Sequence, residues 1–243
     1  MFKYKFWIVI FITLSPLKIF AGPPFDTDDP EPVDYLHWEF YISSMMEFQP
    51  DESNLTLPHF EVNYGVIPNV QIHLLAPIGY IHSESGTIYG YSTTELGIKY
   101  RFVSETDNLP QIGIFPLVEI PTGNKNEGLS NGQYQFYFPV WFQKSWGKLT
   151  SYCGGGYWFN PGQGNRNWIF TGWEVQYDFS EMITLGGEAY YHTADTQSSK
   201  SSAGFNLGGI INADQTNHIL FSAGSASGSG RTITGYFGYQ MTI

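Results

Sequence analysis

The chain has one cysteine, Cys153, in 243 residues. No internal disulfide can form, which excludes the small cross-linked scaffolds of secreted proteins. Cys153 reads as a small residue in a crowded strand and not as a reactive thiol. Charge is also sparse, at 14% of residues, and base is scarcer than acid, with 11 Lys and Arg against 22 Asp and Glu. A net charge of −11 argues against nucleic acid and anionic lipid headgroups as partners, since both require a basic footprint. After the first 21 residues no apolar run reaches the ~20 residues that a helix needs to cross a bilayer. Entry into a membrane would therefore require a closed β-barrel, the other structure that satisfies every backbone group without water.

Aromatic residues are abundant, at 18%, together with 27 Gly, 17 Tyr and 19 Phe. That composition suits close strand packing and aromatic girdles at two membrane interfaces. Residues 1–21 have the form of a cleaved secretory signal peptide, with Lys3 and Lys5 before an apolar stretch from Phe6 to Leu14 and a small residue at Ala21. Ile19 is large for a processing site, and a retained anchor helix is the alternative reading; without a cysteine the region cannot be a lipoprotein anchor. Cleavage would remove Lys3, Lys5 and Lys18 and no acid, taking the charge of −11 down by three, to −14. Residues 22–34 carry Pro23, Pro24, Pro30 and Pro32 and cannot be a central strand. We read them as a periplasmic N-terminal lead-in. Asp26, Asp28, Asp29 and Glu31 within it match no calcium-loop spacing and read as a solvated tail.

The stretch Thr93 to Phe102 sorts two chemistries without exception. Successive side chains of a strand point to opposite faces, so Leu96, Ile98, Tyr100 and Phe102 share one side while Glu95, Gly97, Lys99 and Arg101 share the other. A soluble sandwich would bury the apolar set, whereas a membrane barrel turns it to lipid and turns the charges into the lumen. The same alternation recurs with Trp38, Phe40 and Ile42 against His37, Glu39, Tyr41 and Ser43, and with Phe60, Val62 and Tyr64 against His59, Glu61 and Asn63. Val70, Ile72, Leu74, Ala76 and Ile78 then oppose Gln71 and His73, and Ile112, Ile114, Val118 and Ile120 oppose Gln111, Gly113 and Glu119. Further on, Tyr134, Phe136, Phe138, Val140 and Phe142 alternate with Gln133, Gln135, Tyr137 and Gln143. Softer strands follow over 168–177, 183–192, 203–212, 218–225 and 232–243.

Short connections near Gly65, Gly147, Asp178 and Ala213 alternate with longer polar loops at 49–54, 121–132, 160–167, 194–202 and 226–231. About twelve strands of about 9 to 11 residues, each long enough to cross a bilayer when tilted, predict an all-β fold. That fold is a single transmembrane antiparallel up-and-down β-barrel over residues 35–243, with short turns and both termini on the periplasmic side. The terminal strand puts Ile233, Phe237, Tyr239, Met241 and Ile243 on one face, like a barrel-assembly signal with isoleucine at the usual aromatic position.

The run Gly22-Pro23-Pro24-Phe25-Asp26-Thr27-Asp28-Asp29-Pro30-Glu31-Pro32, with His37-Trp38-Glu39, resembles bacterial outer-membrane proteins grouped with the meta-pathway phenol-degradation family. The likeness continues through Thr94-Glu95-Leu96-Gly97-Ile98-Lys99-Tyr100-Arg101-Phe102, Asn160-Pro161-Gly162, Gly164-Asn165-Arg166 and Phe205-Asn206-Leu207-Gly208-Gly209. The resemblance implies a porin-like transporter in the outer membrane of a Gram-negative cell. It says more about fold and location than about the solute.

With the lipid face assigned, the lumen face follows. It collects Glu39, Glu61, Glu95, Glu119, Glu174 and Glu188 with His37, His73, Lys99 and Arg101, many of them at a similar height. In one reading the acids line a water-filled passive channel for small solutes that prefers cations, or one that takes small aromatic or hydrophobic compounds. In the other, Lys99 and Arg101 bridge glutamates across a narrow barrel and the network is structural. A lipid-modifying enzyme and an adhesive or structural barrel are the remaining classes. His192 near Asp195, Ser198 and Ser199 is the nearest approach to a nucleophile and base, without a recognisable motif. The expected partners are outer-membrane lipid, a small-molecule solute and the barrel-assembly machinery; no catalytic residue, metal, cofactor or nucleic acid is expected.

Overall fold

The structure, a computed structural model, describes residues 22–243; the expected signal peptide lies outside the described residues. The strands are β1 (Trp38–Phe48), β2 (Glu52–Ile67), β3 (Val70–Ser83), β4 (Gly86–Tyr91), β5 (Thr94–Val103), β6 (Gln111–Ile114), β7 (Leu117–Ile120), β8 (Gln135–Trp146), β9 (Leu149–Phe159), β10 (Trp168–Asp178), β11 (Ile183–His192), β12 (Ser202–Asn212), β13 (Asn217–Ser227) and β14 (Arg231–Thr242). Each pairs antiparallel with its neighbours, and β1 closes on β14 from Glu39 opposite Thr242 to Phe48 opposite Ile233. Two wall positions hold two strands each. β4 and β5 both pair with β3, and β6 and β7 both lie between β5 and β8. The result is a closed barrel of 12 strands with two extra segments.

Closure of β1 on β14 leaves only β4, which pairs with β3 alone, with a free edge, so the backbone groups of the wall are used within the ladder, as a bilayer requires. The two faces follow the alternation. Leu96, Ile98, Tyr100 and Phe102 are exposed on the outer wall while Lys99, between them, is 5% exposed. Trp173 is 59% exposed, yet its neighbour Glu174 is fully buried. Large apolar side chains outside and acids inside invert a soluble protein, and the inversion is stable only with lipid around it. Cys153 also faces outward, opposite Phe142 and Trp173 in the ladder.

Two local differences from the sequence reading have simple causes. Residues 52–54 belong to β2 and not to a loop, because β2 and β3 continue past the apolar belt as a hairpin, pairing Glu52 with Ser83. Polar residues on both faces signal that the strand has left lipid, not that it has ended. The loop 121–134 folds back over the wall: Leu129 is buried, and the Ser92 hydroxyl donates to its carbonyl at 2.9 Å.

Candidate functional site in the barrel lumen

The lead-in is neither solvated nor outside the barrel. Residues 22–34 run through the lumen as a strut, with Thr27, Asp29 and Glu31 buried. At one end the Ser222 hydroxyl donates to the Pro24 carbonyl at 2.6 Å. The Glu188 carboxylate accepts the backbone N–H groups of Asp26 and Thr27 at 2.9 and 2.8 Å. At the other end the Lys99 ammonium reaches Asp28 at 2.9 Å and Asp29 at 3.2 Å, and Arg101 reaches Glu31 at 2.6 Å. The Val33 N–H donates to the Gln71 side chain at 2.8 Å, and Leu36 donates to the Gly65 carbonyl before β1 begins.

Proline explains why this segment forms a strut and not another strand. Each Pro lacks an N–H, so the segment cannot join a ladder and is held by side chains of the wall instead. The wall makes room with glycine. A Cβ on Gly172 would sit 2.1 Å from the Thr27 hydroxyl, and one on Gly113 would sit 2.9 Å from Pro30.

Among the described residues Lys99 and Arg101 form ion pairs with the strut and not with the wall glutamates that the sequence had suggested. Arg101 also donates to Asn69 at 3.0 and 2.6 Å and to Gln111 at 3.1 Å. The wall acids fall into separate groups and not one ring. Glu61 and Glu95 flank His73, whose Nδ1 lies 3.5 Å from Glu61 and 2.8 Å from Asn63 and whose Nε2 lies 3.0 Å from Glu95. Glu39 accepts from the Tyr41 hydroxyl at 3.0 Å, and Glu119 and Glu174 accept from Gln135 and Gln176, both at 2.5 Å. Glu174 stands opposite Glu188 in the ladder, and Glu188 also accepts from Asn206 at 2.6 Å. His37 is exposed just before β1, with its Nδ1 3.1 Å from the Tyr35 carbonyl.

Two features escaped the sequence. On the strut itself, exposed Asp26 lies close enough to both Glu188 and Glu47 of the wall to interact electrostatically, which makes this part of the lumen acidic. The inner wall of β8 to β11 is aromatic. Tyr137 stacks on Trp158 with ring centroids 4.6 Å apart, Trp158 on Trp168 at 5.3 Å, and Phe170 on Tyr190 at 6.1 Å. The signal for it lies in the sequence, since Trp158, Trp168, Phe170 and Tyr190 hold lumen positions by alternation, but apolar residues on both faces of these strands blur the pattern.

The loop cluster considered for catalysis does not assemble. The Ser199 hydroxyl donates directly to Asp195 at 2.6 Å, whereas His192 faces the Thr193 carbonyl at 3.1 Å and the Trp168 ring. An activated serine needs the base between hydroxyl and acid. Among the described residues no group of three or more His, Cys, Asp or Glu is placed to hold a metal ion.

A closed antiparallel barrel with an apolar exterior and a charged, strutted lumen defines the class: a transmembrane β-barrel of the porin-like kind. Comparison with solved structures agrees. The crystal structure of the COG4313 outer-membrane channel from Pseudomonas putida F1 superposes with a TM-score of 0.72 at 12% identity, over 90% of this chain and 100% of that one. The KdgM porin in complex with disordered oligogalacturonate gives 0.53 at 13% identity, over 83% of this chain and 98% of that one. The translocator domain of the autotransporter NalP from Neisseria meningitidis gives 0.57 at 8% identity, over 86% and 90%. At these identities the likeness is one of fold. No protein-family model matches the sequence. No curated protein matches it.

Proposed function

We propose that the chain is a passive outer-membrane channel for small solutes, with a preference for cations over anions. The observation that carries this reading is the use of Lys99 and Arg101 by Asp28, Asp29 and Glu31 of the strut. Once those bases are neutralised, Asp26, Glu47, Glu95 and Glu119 leave the passage acidic, and a low-dielectric wall focuses their field. The barrels similar in fold that are called channels or porins support transport as the general activity.

The test is the reversal potential of the purified full chain in a planar bilayer across a salt gradient. Cation preference is expected, moving toward zero in Glu47→Gln. The preference should shrink as salt rises, since the screening length is only about 3 Å at 1 M. Anion preference in the parent would overturn the reading.

A second reading of the solute rests on the stacked rings of Tyr137, Trp158 and Trp168 and on the resemblance to the phenol-degradation group. Apolar aromatic compounds would follow that wall, contributing saturable uptake with little current.

A further inference from the structure

Gly22 is buried within the barrel, where its nitrogen donates to the Thr27 carbonyl at 3.3 Å and its own carbonyl accepts from the Phe25 N–H at 2.9 Å. Residues 22–27 therefore curl into a closed turn. Ser222 of β13 holds that turn through the Pro24 carbonyl, and Glu188 of β11 holds it through the N–H groups of Asp26 and Thr27. The curl also sets Gly22 against Asp28, whose Oδ1 would lie 3.4 Å from a Cβ on that glycine.

Two acceptors thus converge on the first residue of the strut, the Thr27 carbonyl and the Asp28 carboxylate. An amide nitrogen at Gly22 brings them one N–H and no charge. An α-ammonium brings three donors and a positive charge, and a charge-assisted hydrogen bond is about twice as strong as a neutral one. The charge balance of the strut points the same way. It carries Asp26, Asp28, Asp29 and Glu31, while the wall bases that meet it are Lys99, shared by Asp28 and Asp29, and Arg101, on Glu31. Acids drawn out of water require counter-charge, and Asp28, which has only a share of Lys99, is the acid that Gly22 adjoins.

We propose that the bond between Ala21 and Gly22 is a processing site and that the α-ammonium released there is a structural group, docked on Asp28 and Thr27 inside the lumen. Hydrolysis by a signal peptidase supplies it. The C–N bond breaks, the Ala21 carbonyl carbon takes the water oxygen as a carboxylate, and both water protons end on the Gly22 nitrogen. Ala21 is the small residue such an enzyme needs beside the cut. The strut locks only after cleavage, because the cation that completes it does not exist before. This lock is independent of whether the barrel conducts.

The experiment uses the full chain, produced in a Gram-negative host and purified as a heat-shiftable barrel. Its intact mass should be that of a chain starting at Gly22, and any other start overturns the proposal. The probe is N-hydroxysuccinimidyl acetate at pH 8, where an ordinary α-amine is about half deprotonated, and mass spectrometry follows the N-terminal peptide. The Gly22 amine should react about tenfold more slowly in the folded barrel than in the boiled chain, and Asp28→Asn should restore most of that factor. Glu31→Gln releases the strut at its other anchor, Arg101, and should leave the folded rate at the parental value. Equal rates in folded and boiled parent would overturn the docking. If Asp28→Asn reacts no faster than the parent, or Glu31→Gln reacts as fast as Asp28→Asn, the ammonium is not paired with Asp28. A chain with Ser-Gln-Thr inserted after Ala21 carries its ammonium away from the turn and should lose its heat-shifted mobility at a lower temperature. A parental midpoint there would overturn the lock, and should Asp28→Asn fail to assemble, this extended chain decides.

Discussion

The ammonium of Lys99 lies 2.9 Å from the carboxylate of Asp28, joining β5 to a segment 71 residues earlier in the chain. Lys99 is buried, and its second partner, Asp29, is 1% exposed. The Lys99–Asp29 contact is a tether made largely out of water, and the ring of Phe115 lies 4.9 Å from the ammonium.

Removing that ammonium should be costly. Lys99→Met leaves buried Asp29 and half-buried Asp28 without their cation, and breaking one side of a buried pair costs about 3 to 5 kcal/mol. The variant should unfold at lower temperature by gel shift, and its strut should become sensitive to protease. Adding Asp28→Asn and Asp29→Asn should restore most of the loss. If the triple variant is no more stable than the single one, the tether is not electrostatic.

Gly172 gives an independent handle on the strut. In Gly172→Val the new Cβ falls within 2.1 Å of the Thr27 hydroxyl, so that side of the lead-in must move. Higher single-channel conductance with an assembled barrel is the expected outcome. Parental conductance would mean that the strut does not limit flow.

The polarity of the wall can be tested within β5 alone. Ile98→Arg places a charge against lipid at a cost of about 2 to 4 kcal/mol near the midplane and should impair assembly. Glu95→Gln keeps a hydrogen-bonding group toward His73 and should assemble normally. The yield of heat-shiftable protein in membranes separates the two.

Asp214 provides a pH signature outside the membrane. In the turn between β12 and β13 its carboxylate accepts the backbone N–H groups of Thr216 and Asn217 at 2.7 and 2.8 Å. Those bonds, first of all the one from Thr216, hold its pKa below the ordinary value of 3.8. A lowered pKa means the carboxylate stabilises the turn fully above that ordinary value and loses its effect as pH falls through the folded one. Amide exchange at Thr216 and Asn217, corrected for intrinsic rates, should therefore stay constant from neutrality to about pH 5 and rise in more acid solution. Asp214→Asn should flatten the profile.

Alternation, with the strand count and the spacing of short and long loops, pointed to the barrel. Leu96 to Phe102 and its repeats specify which face meets lipid, because a strand has only two faces and one misplaced charge is expensive there. The nine lumen residues from Glu39 to Glu188 were placed on the inner wall by the same rule. The partners of those residues were not legible. Lys99 was expected to meet a glutamate of the wall, but a strand pattern carries no information about what crosses the lumen. Proline showed that residues 22–34 could not join the sheet; only the closed barrel, with room left at Gly172 and Gly113 and unpaired bases at Lys99 and Arg101, decided that they fill it. The interruption between β6 and β7 likewise depends on register: that both segments fill one wall position between β5 and β8 is settled by the whole sheet at once.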